Sequence, residues 1–307
     1  MRITLAGGTG FLGHALCATL LEDGHDVTIL SRQPSVDPAG RIRLVNWTPD
    51  GTPGPWATAL DGADVVVNLA GSSIADGRWT NAKKRRILDS RVLATRSLAA
   101  AVASVTAPPA LMISSSAVGY YGPCGDEWVT ETHAPGHDYL ADVCVKWEAE
   151  AQRAASTRTR VVCLRTGLVL DRAHGALPAM RVPFRLGAGG PVGSGRQYMP
   201  WIHATDWVRL VRHVMTVPTV SGPLNASAPA PVTNREFARA LGRALHRPAV
   251  LPTPAFVLKL LLGEMAEALL LAGQRAIPAE AQRLGFAFTY DTLDVALADL
   301  MGPPRAQ

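Results

Sequence analysis

Short apolar runs alternate with longer stretches of helical spacing through the first half of this chain. Residues 1–6 read MRITLA, a short β-run, and Phe11, Leu12, Ala15, Leu16 and Leu20 then recur at helical spacing as far as Leu21. After the turn Asp23-Gly24-His25, residues 26–30 read as a second strand and 43–47 as a third. A Pro/Gly turn over 48–54 and a short helix over 56–60 lead to 64–71, a continuous apolar run of the kind that a strand buried on both faces requires. A long helix over 78–105, a strand at 111–113 running into Ser114-Ser115-Ser116, a helix over 145–155 and a strand over 160–165 complete the alternation. Repeated strand–helix–strand order predicts an α/β fold, a doubly wound parallel sheet with right-handed crossovers.

Beyond Arg165-Thr166-Gly167 the texture changes. Residues 188–195 (AGGPVGSG) read as a flexible loop, and Trp201-Ile202-His203 leads into a helix over 207–215. Pro-punctuated short elements and helices follow at 234–245, 255–271, 278–284 and 291–300, with Thr233 and Glu236 marking a helix start. The expected organisation is a dinucleotide-binding domain over 1–167, with 201–216 returning to it, and a smaller, mostly helical substrate-side lobe over 168–200 and 217–307. The most apolar stretch, 255–273, carries Lys259, Glu264 and Glu267, which argues for a packed amphipathic helix rather than a membrane span.

Composition narrows the function classes. At 307 residues and 48% hydrophobic, the chain can bury a large core. Its net charge of +5 is scattered, without a basic–aromatic ladder or metal-ligand spacing, so the expected partners are phosphate-bearing small molecules, not nucleic acid, metal or membrane. Cys17, Cys124, Cys144 and Cys163 form no C-x-x-C pair, and the first strand begins at the N-terminus without a leader, so a reduced, cytoplasmic protein is expected. A homodimer is compatible with these features.

The first chemistry lies between the first strand and the first helix, where Gly7-Gly8-Thr9-Gly10-Phe11-Leu12-Gly13 joins them. Glycines permit a positive-φ turn and close approach of backbone to phosphate, and the helix N-terminus offers free N–H groups to negative charge. Gly7, Thr9, Gly10, Phe11, Leu12 and Gly13 are therefore candidate cofactor residues. Where NAD-binding chains usually carry an acidic residue after the second strand, this chain has Ser31-Arg32. A guanidinium can grip a 2′-phosphate two-pronged, which favours NADP(H) over NAD(H).

The G-x-x-G-x-x-G spacing resembles that of the short-chain dehydrogenase/reductase superfamily, in its extended branch. GGTGFLG (7–13), NLAG (68–71), KKRRILDSRV (83–92), SSSAVGYYG (114–122), KWE (146–148), LRTGLVL (164–170), FRLGAGGPVGSGRQYMPWIH (184–203) and LNASAP (224–229) together resemble the atypical YfcH-like group of epimerase-family proteins. The likeness continues through GEMAEALLLAGQR (263–275) and LGFAFTY (284–290) and so spans essentially the whole chain. It implies a Rossmann-type sheet, NADP-type dinucleotide binding and an oxidoreductase or epimerase activity, with Leu69, Ala70, Gly71 and Ser114 beside the cofactor. Such enzymes use a Ser with a Tyr-x-x-x-Lys, and here the pattern breaks. Ser116 matches the catalytic serine, but Leu140 falls at the tyrosine position and Cys144 at the lysine. Arg91 falls where many extended members carry Asn, and a cation from this second element is expected near the ribose or substrate. Tyr121 is then the candidate proton donor beside Ser116, with Tyr120, Arg185, Arg196 and His203 as candidate substrate contacts; arginines on this stretch suit a phosphorylated or carboxylated substrate. The alternative reading is an NADP(H)-binding sensor or scaffold without turnover.

Overall fold

The computed structural model describes residues 1–33 and 40–302. Along it run β1 (Arg2–Ala6), α1 (Phe11–Glu22), β2 (Asp26–Ser31), β3 (Ile42–Asn46), β4 (Val65–Asn68), α2 (Asn81–Ser104) and β5 (Leu111–Ala117). Next come β6 (Trp128–Val129), α3 (Tyr139–Gln152), β7 (Arg160–Thr166), β8 (Leu168–Leu170), α4 (Leu177–Arg185), β9 (Tyr198–Met199), β10 (Trp201–His203) and α5 (Ala204–Thr216). The chain continues through β11 (Gly222–Ala226), β12 (Val232–Thr233), α6 (Asn234–Leu245), α7 (Ala255–Leu262), α8 (Glu264–Ala266), β13 (Arg275–Ala276), α9 (Ala279–Arg283) and α10 (Leu293–Met301). Residues 303–307, the end of the expected lobe, lie outside the described residues.

Seven strands form one parallel sheet in the order β11-β7-β5-β4-β1-β2-β3, so the doubly wound Rossmann-type α/β fold is present. The strand period of two sorts its side chains to opposite faces. Ile3, Leu5, Val67 and Ile113 pack on one face with Leu16 and Leu20 of α1 and Trp207, Leu210 and Val211 of α5. Ala6, Val66, Met112 and Cys163 face the other way, onto Ala94, Leu98 and Val102 of α2. Helix α5 thus covers the sheet itself, and Arg212 ties it to Asp23 at the end of α1 (2.7 Å). A second core, built on Leu177, Phe184, Trp201, Phe237, Leu241 and Leu297, joins α4, α6 and α10; the C-terminal region is mostly helical.

Several local expectations change. Helix α3 begins at Tyr139, six residues before the predicted 145, because Asp138 caps it by accepting from the Ala141 N–H (2.8 Å). The single helix expected over 255–271 is interrupted at Gly263, whose φ of +63° ends α7, and a π-turn follows over 267–271. No residue of α7 is buried, and Phe256 and Leu260 are 71% and 74% exposed, so this segment is not the packed amphipathic helix expected of it. Helix α4, unforeseen between two loop signals, accommodates Pro178 in its first turn and Pro183 within it. Helix α6 starts where Thr233 and Glu236 predicted, with a reciprocal capping box.

A buried carboxylate ties α5 to the C-terminal region. Asp206 in the first turn of α5 is fully buried, and it accepts from the backbone N–H groups of Thr289 (3.0 Å) and Tyr290 (2.8 Å) while pairing with Arg209 (2.6 Å). Removing it leaves buried donors unsatisfied. Asp206→Ala is expected to lower unfolding free energy by about 2–4 kcal/mol, measured by urea denaturation. A loss below about 0.5 kcal/mol would contradict this role.

Candidate functional site

The glycine turn meets the steric demands of close approach. Gly7 has φ +81°, and a Cβ there would lie 2.7 Å from the Leu69 carbonyl carbon. A Cβ at Gly13 would lie 2.3 Å from the Gly7 oxygen, so the helix can pack onto the turn only without a side chain. Gly10 caps α1 with no side-chain hydrogen bond, leaving the first-turn N–H groups of Phe11, Leu12 and Gly13 available to an anion. Thr9 and Gly10 are exposed, and Phe11 and Leu12 are half-buried. These residues fit a dinucleotide pyrophosphate. Ser31 ends β2 and Arg32 follows it, exposed.

Beside this turn lies the NLAG element. Asn68 is fully buried; its amide nitrogen donates to Thr95 (2.8 Å) and Ser114 (3.2 Å), and its oxygen accepts from the Ala70 N–H (3.1 Å). The amide therefore sets the path of Leu69, Ala70 and Gly71. Ser114, expected at the cofactor, is fully buried with its hydroxyl engaged by Asn68, because strand alternation points it towards α2. Only its backbone remains for a ligand.

Two residues on, Ser116 lies on the same face. Strand register aligns it with Arg165 of β7, and Arg165 with Asn225 of β11. Glu148 of α3 closes this row from above. It accepts from Ser116 Oγ (2.6 Å) and takes Arg165 two-pronged through Nε (2.9 Å) and Nη2 (2.8 Å). Tyr121 donates to Asn225 (2.6 Å) and accepts from Arg165 Nη1 (3.0 Å), and the Tyr120 ring stacks 3.4 Å from the guanidinium carbon. Glu131 accepts from the backbone N–H of Asn225 (3.0 Å). Burial pulls the Arg165 pKa down, but its hydrogen bonds to Glu148 and its contact with Tyr121 more than offset this, so the guanidinium stays charged. Sequence reading missed this pair. The available signal was an Arg inside the apolar strand run VVCLRT, where a buried charge demands a partner.

Tyr121, expected to donate a proton, is 3% exposed, and burial pushes its phenol up to about 12. Its hydroxyl is spent on two partners, which makes it a strut of the buried network. The position expected for a lysine, Cys144, is buried with its thiol pushed up to about 12 by burial, within reach of the Ser116 hydroxyl and the Ala117 N–H. Leu140 lies against Gly119. Arg91 does reach this place: the Cβ site of Gly71 is 3.3 Å from its guanidinium carbon, and Trp147 is 5.2 Å away. Tyr139 sits over the start of α2, donating to the Lys84 carbonyl (2.6 Å).

The expected substrate contacts disperse. Arg185 ends α4 and Arg196 lies in the Gly-rich loop, both exposed. His203 is not in a cleft. It is 4% exposed, stacks on Tyr290 at 3.7 Å, caps α5 by accepting from the Thr205 N–H at Nδ1 (3.1 Å) and places Nε2 3.4 Å from Asp299. A hollow of about 350 Å³ near Arg2, Asp26 and Arg43 lies at the opposite ends of the strands from the glycine turn.

Residues 3–225 match the NAD dependent epimerase/dehydratase family. The chain belongs to that family. Residues 253–300 match a domain of unknown function, DUF1731. Within the family, the chain is 40% identical over 302 residues to the epimerase family protein YfhF of Bacillus subtilis, covering 98% of each. It is similar to the crystal structure of human epimerase family protein SDR39U1 solved with NADPH, at TM-score 0.90 and 36% identity over 98% of this chain and 99% of that one. A nucleoside-diphosphate sugar epimerase from Corynebacterium glutamicum is 34% identical at TM-score 0.79; this chain spans 58% of its length. Among the described residues, no helix of this family member is long and apolar enough to cross a membrane.

His203 makes the capping role measurable. Burial holds its pKa below 6.5, with Asp299 and Asp206 opposing. A depressed folded pKa means the contribution is full above 6.5 and is lost as pH falls through the folded value, when Nδ1 can no longer accept. His203→Asn, which retains a capping oxygen but does not titrate, is expected to flatten the acid-side fall in stability, read from denaturation at a series of pH values. Identical pH profiles for the two proteins would contradict it.

Proposed function

We propose that this chain is an NADP(H)-dependent oxidoreductase or epimerase-like enzyme of the short-chain type, acting on a carbonyl, alcohol or sugar-nucleotide-like small molecule. The observation that carries the reading is the glycine turn pressed against Leu69 and Ala70, with an uncapped α1 N-terminus and Arg32 just past β2. Phe11, Leu12 and Gly13 would hold the pyrophosphate through backbone N–H groups, and Ser31 and Arg32 a 2′-phosphate. The related human protein bound to NADPH supports the same assignment. When bound, the nicotinamide supplies a hydride.

The chain's own residues set the rest. Ser116 directs its proton to Glu148, so its oxygen presents lone pairs to a substrate hydroxyl. Tyr121, Asn225 and Arg165 act by holding that pair in place, and Arg91 supplies positive charge where a short-chain lysine would stand. A second reading, a dinucleotide-binding sensor, is favoured by the burial of Tyr121 and the neutral Cys144, which leave no ready acid at the site.

The native chain is expected to bind NADPH about 10–100-fold more tightly than NADH, and Arg32→Ala to abolish most of that difference, as calorimetric titration would show. Equal affinity for both dinucleotides in the native chain refutes the preference. Steady-state oxidation of NADPH across carbonyl and sugar-nucleotide panels separates enzyme from sensor: turnover on any of them supports the first, and tight binding with none the second.

A further inference from the structure

Arg91 is a cation for which the surrounding fold provides no anion. Both of its hydrogen bonds leave from Nη1, to the backbone carbonyls of Ser72 and Ile87 (3.1 Å each). Nε and Nη2 have no partner among the described residues. Of its part-buried neighbours, Arg165 is matched by Glu148 and Arg96 by Glu150 (2.7 Å). Around Arg91 stand the Trp147 ring and Cys144 from α3, Tyr139 at its start and the Gly71 backbone beyond β4. All are neutral at pH 7, since burial pushes both the Cys144 thiol and the Tyr139 phenol up to about 12. Glu148 is already committed to Arg165 and Ser116, and Lys84 to Glu264 (2.8 Å).

A part-buried guanidinium without a counter-charge is an unfavourable arrangement that an arriving anion relieves. Its position decides which anion. The pyrophosphate site is the glycine turn, which abuts Leu69 and Ala70, and Arg91 lies at the next residue, Gly71. On its other side, Cys144 stands within reach of both Arg91 and Ser116. A group held by Arg91 therefore lies between the dinucleotide turn and the serine. One unmatched positive charge suits one negative charge, and a guanidinium fork matches a carboxylate in two-pronged geometry. A phosphate dianion would ask for a second free cation, and Lys84 is taken.

Resting on the reading of this cleft as an NADP(H) site, we infer that Arg91 receives a carboxylate of the substrate, which makes the substrate class a small oxo or hydroxy acid. A carboxylate held there would carry the neighbouring hydroxyl of the hydroxy acid towards the Ser116 oxygen.

The test is calorimetric titration of the protein–NADPH complex with oxamate, which carries a carboxylate, and with oxamide, its neutral counterpart. Oxamate is expected to bind and oxamide not to. Arg91→Gln should weaken oxamate about tenfold or more, and Arg91→Lys less, while the affinity for NADPH stays within about threefold and the melting temperature confirms folding. Equal binding of oxamate and oxamide, absence of oxamate binding by the native complex, or unchanged oxamate affinity in a folded Arg91→Gln would overturn the assignment. Loss of NADPH affinity in a folded Arg91→Gln would overturn it too, by giving Arg91 to the cofactor. Failure of the native chain to bind NADPH at all is a separate result, and it refutes the dinucleotide reading itself.

Discussion

The Glu148–Arg165 pair governs the carboxyl edge of the sheet. Two charges taken from water into a low-dielectric site add little net stability, yet breaking such a pair by removing one partner costs about 3–5 kcal/mol. Its value is geometric. The two-pronged contact fixes α3 over β7, and the register Ser116–Arg165–Asn225 carries that fixation across three strands. Tyr121 and Glu131 extend it into the loops after β5 and β6, and the Glu131 carboxylate also accepts from the Glu280 N–H of α9 (3.2 Å). One ion pair thus links sheet, helix, substrate-side loop and C-terminal region.

That same pair determines which protons are available. Glu148 accepts the Ser116 hydrogen bond because a carboxylate is the strongest acceptor within reach. Tyr121 is drawn into the network for the complementary reason: Arg165 offers a donor and Asn225 an acceptor, so its hydroxyl is saturated. A buried polar network of this kind holds its members in single orientations. Rigidity here is obtained by using up groups that would otherwise exchange protons with a ligand.

How far the sequence revealed this differs by range of interaction. The glycine turn, the strand–helix alternation and the Thr233–Glu236 cap were legible because each depends on residues a few positions apart. The Ser116–Glu148–Arg165 row was not, since it depends on the register of strands 49 residues apart and on where α3 sits above them. His203 was a candidate substrate contact because an imidazole titrates near neutral pH, whereas the structure uses it as a helix cap beneath Tyr290. Residues 255–273 read as a packed amphipathic helix because Lys259, Glu264 and Glu267 interrupt an apolar stretch, but Gly263 turns the chain and leaves Phe256 and Leu260 outside. Ser114 was read as lying beside the cofactor; its hydroxyl is engaged by the Asn68 amide, a partner 46 residues away that no local pattern signals.

The break in the Tyr-x-x-x-Lys pattern and the arginine at position 91 belong together. The Cys144 sulfur lies close enough to Arg91 to feel its charge. A lysine at position 144 would bring a second positive charge near Arg91, and like charges in a partly desolvated site repel. The neutral thiol and the guanidinium are therefore compatible where lysine and arginine would not be. The positive charge is present in this cleft, but it enters from α2 and is anchored by the Ser72 and Ile87 carbonyls. A fork of donors held from that side is suited to gripping an anionic ligand, whereas a lysine beside a tyrosine is suited to lowering a phenol's pKa. With Leu140 at the tyrosine position the cation has no phenol there to tune, which agrees with the inference that it recognises charge.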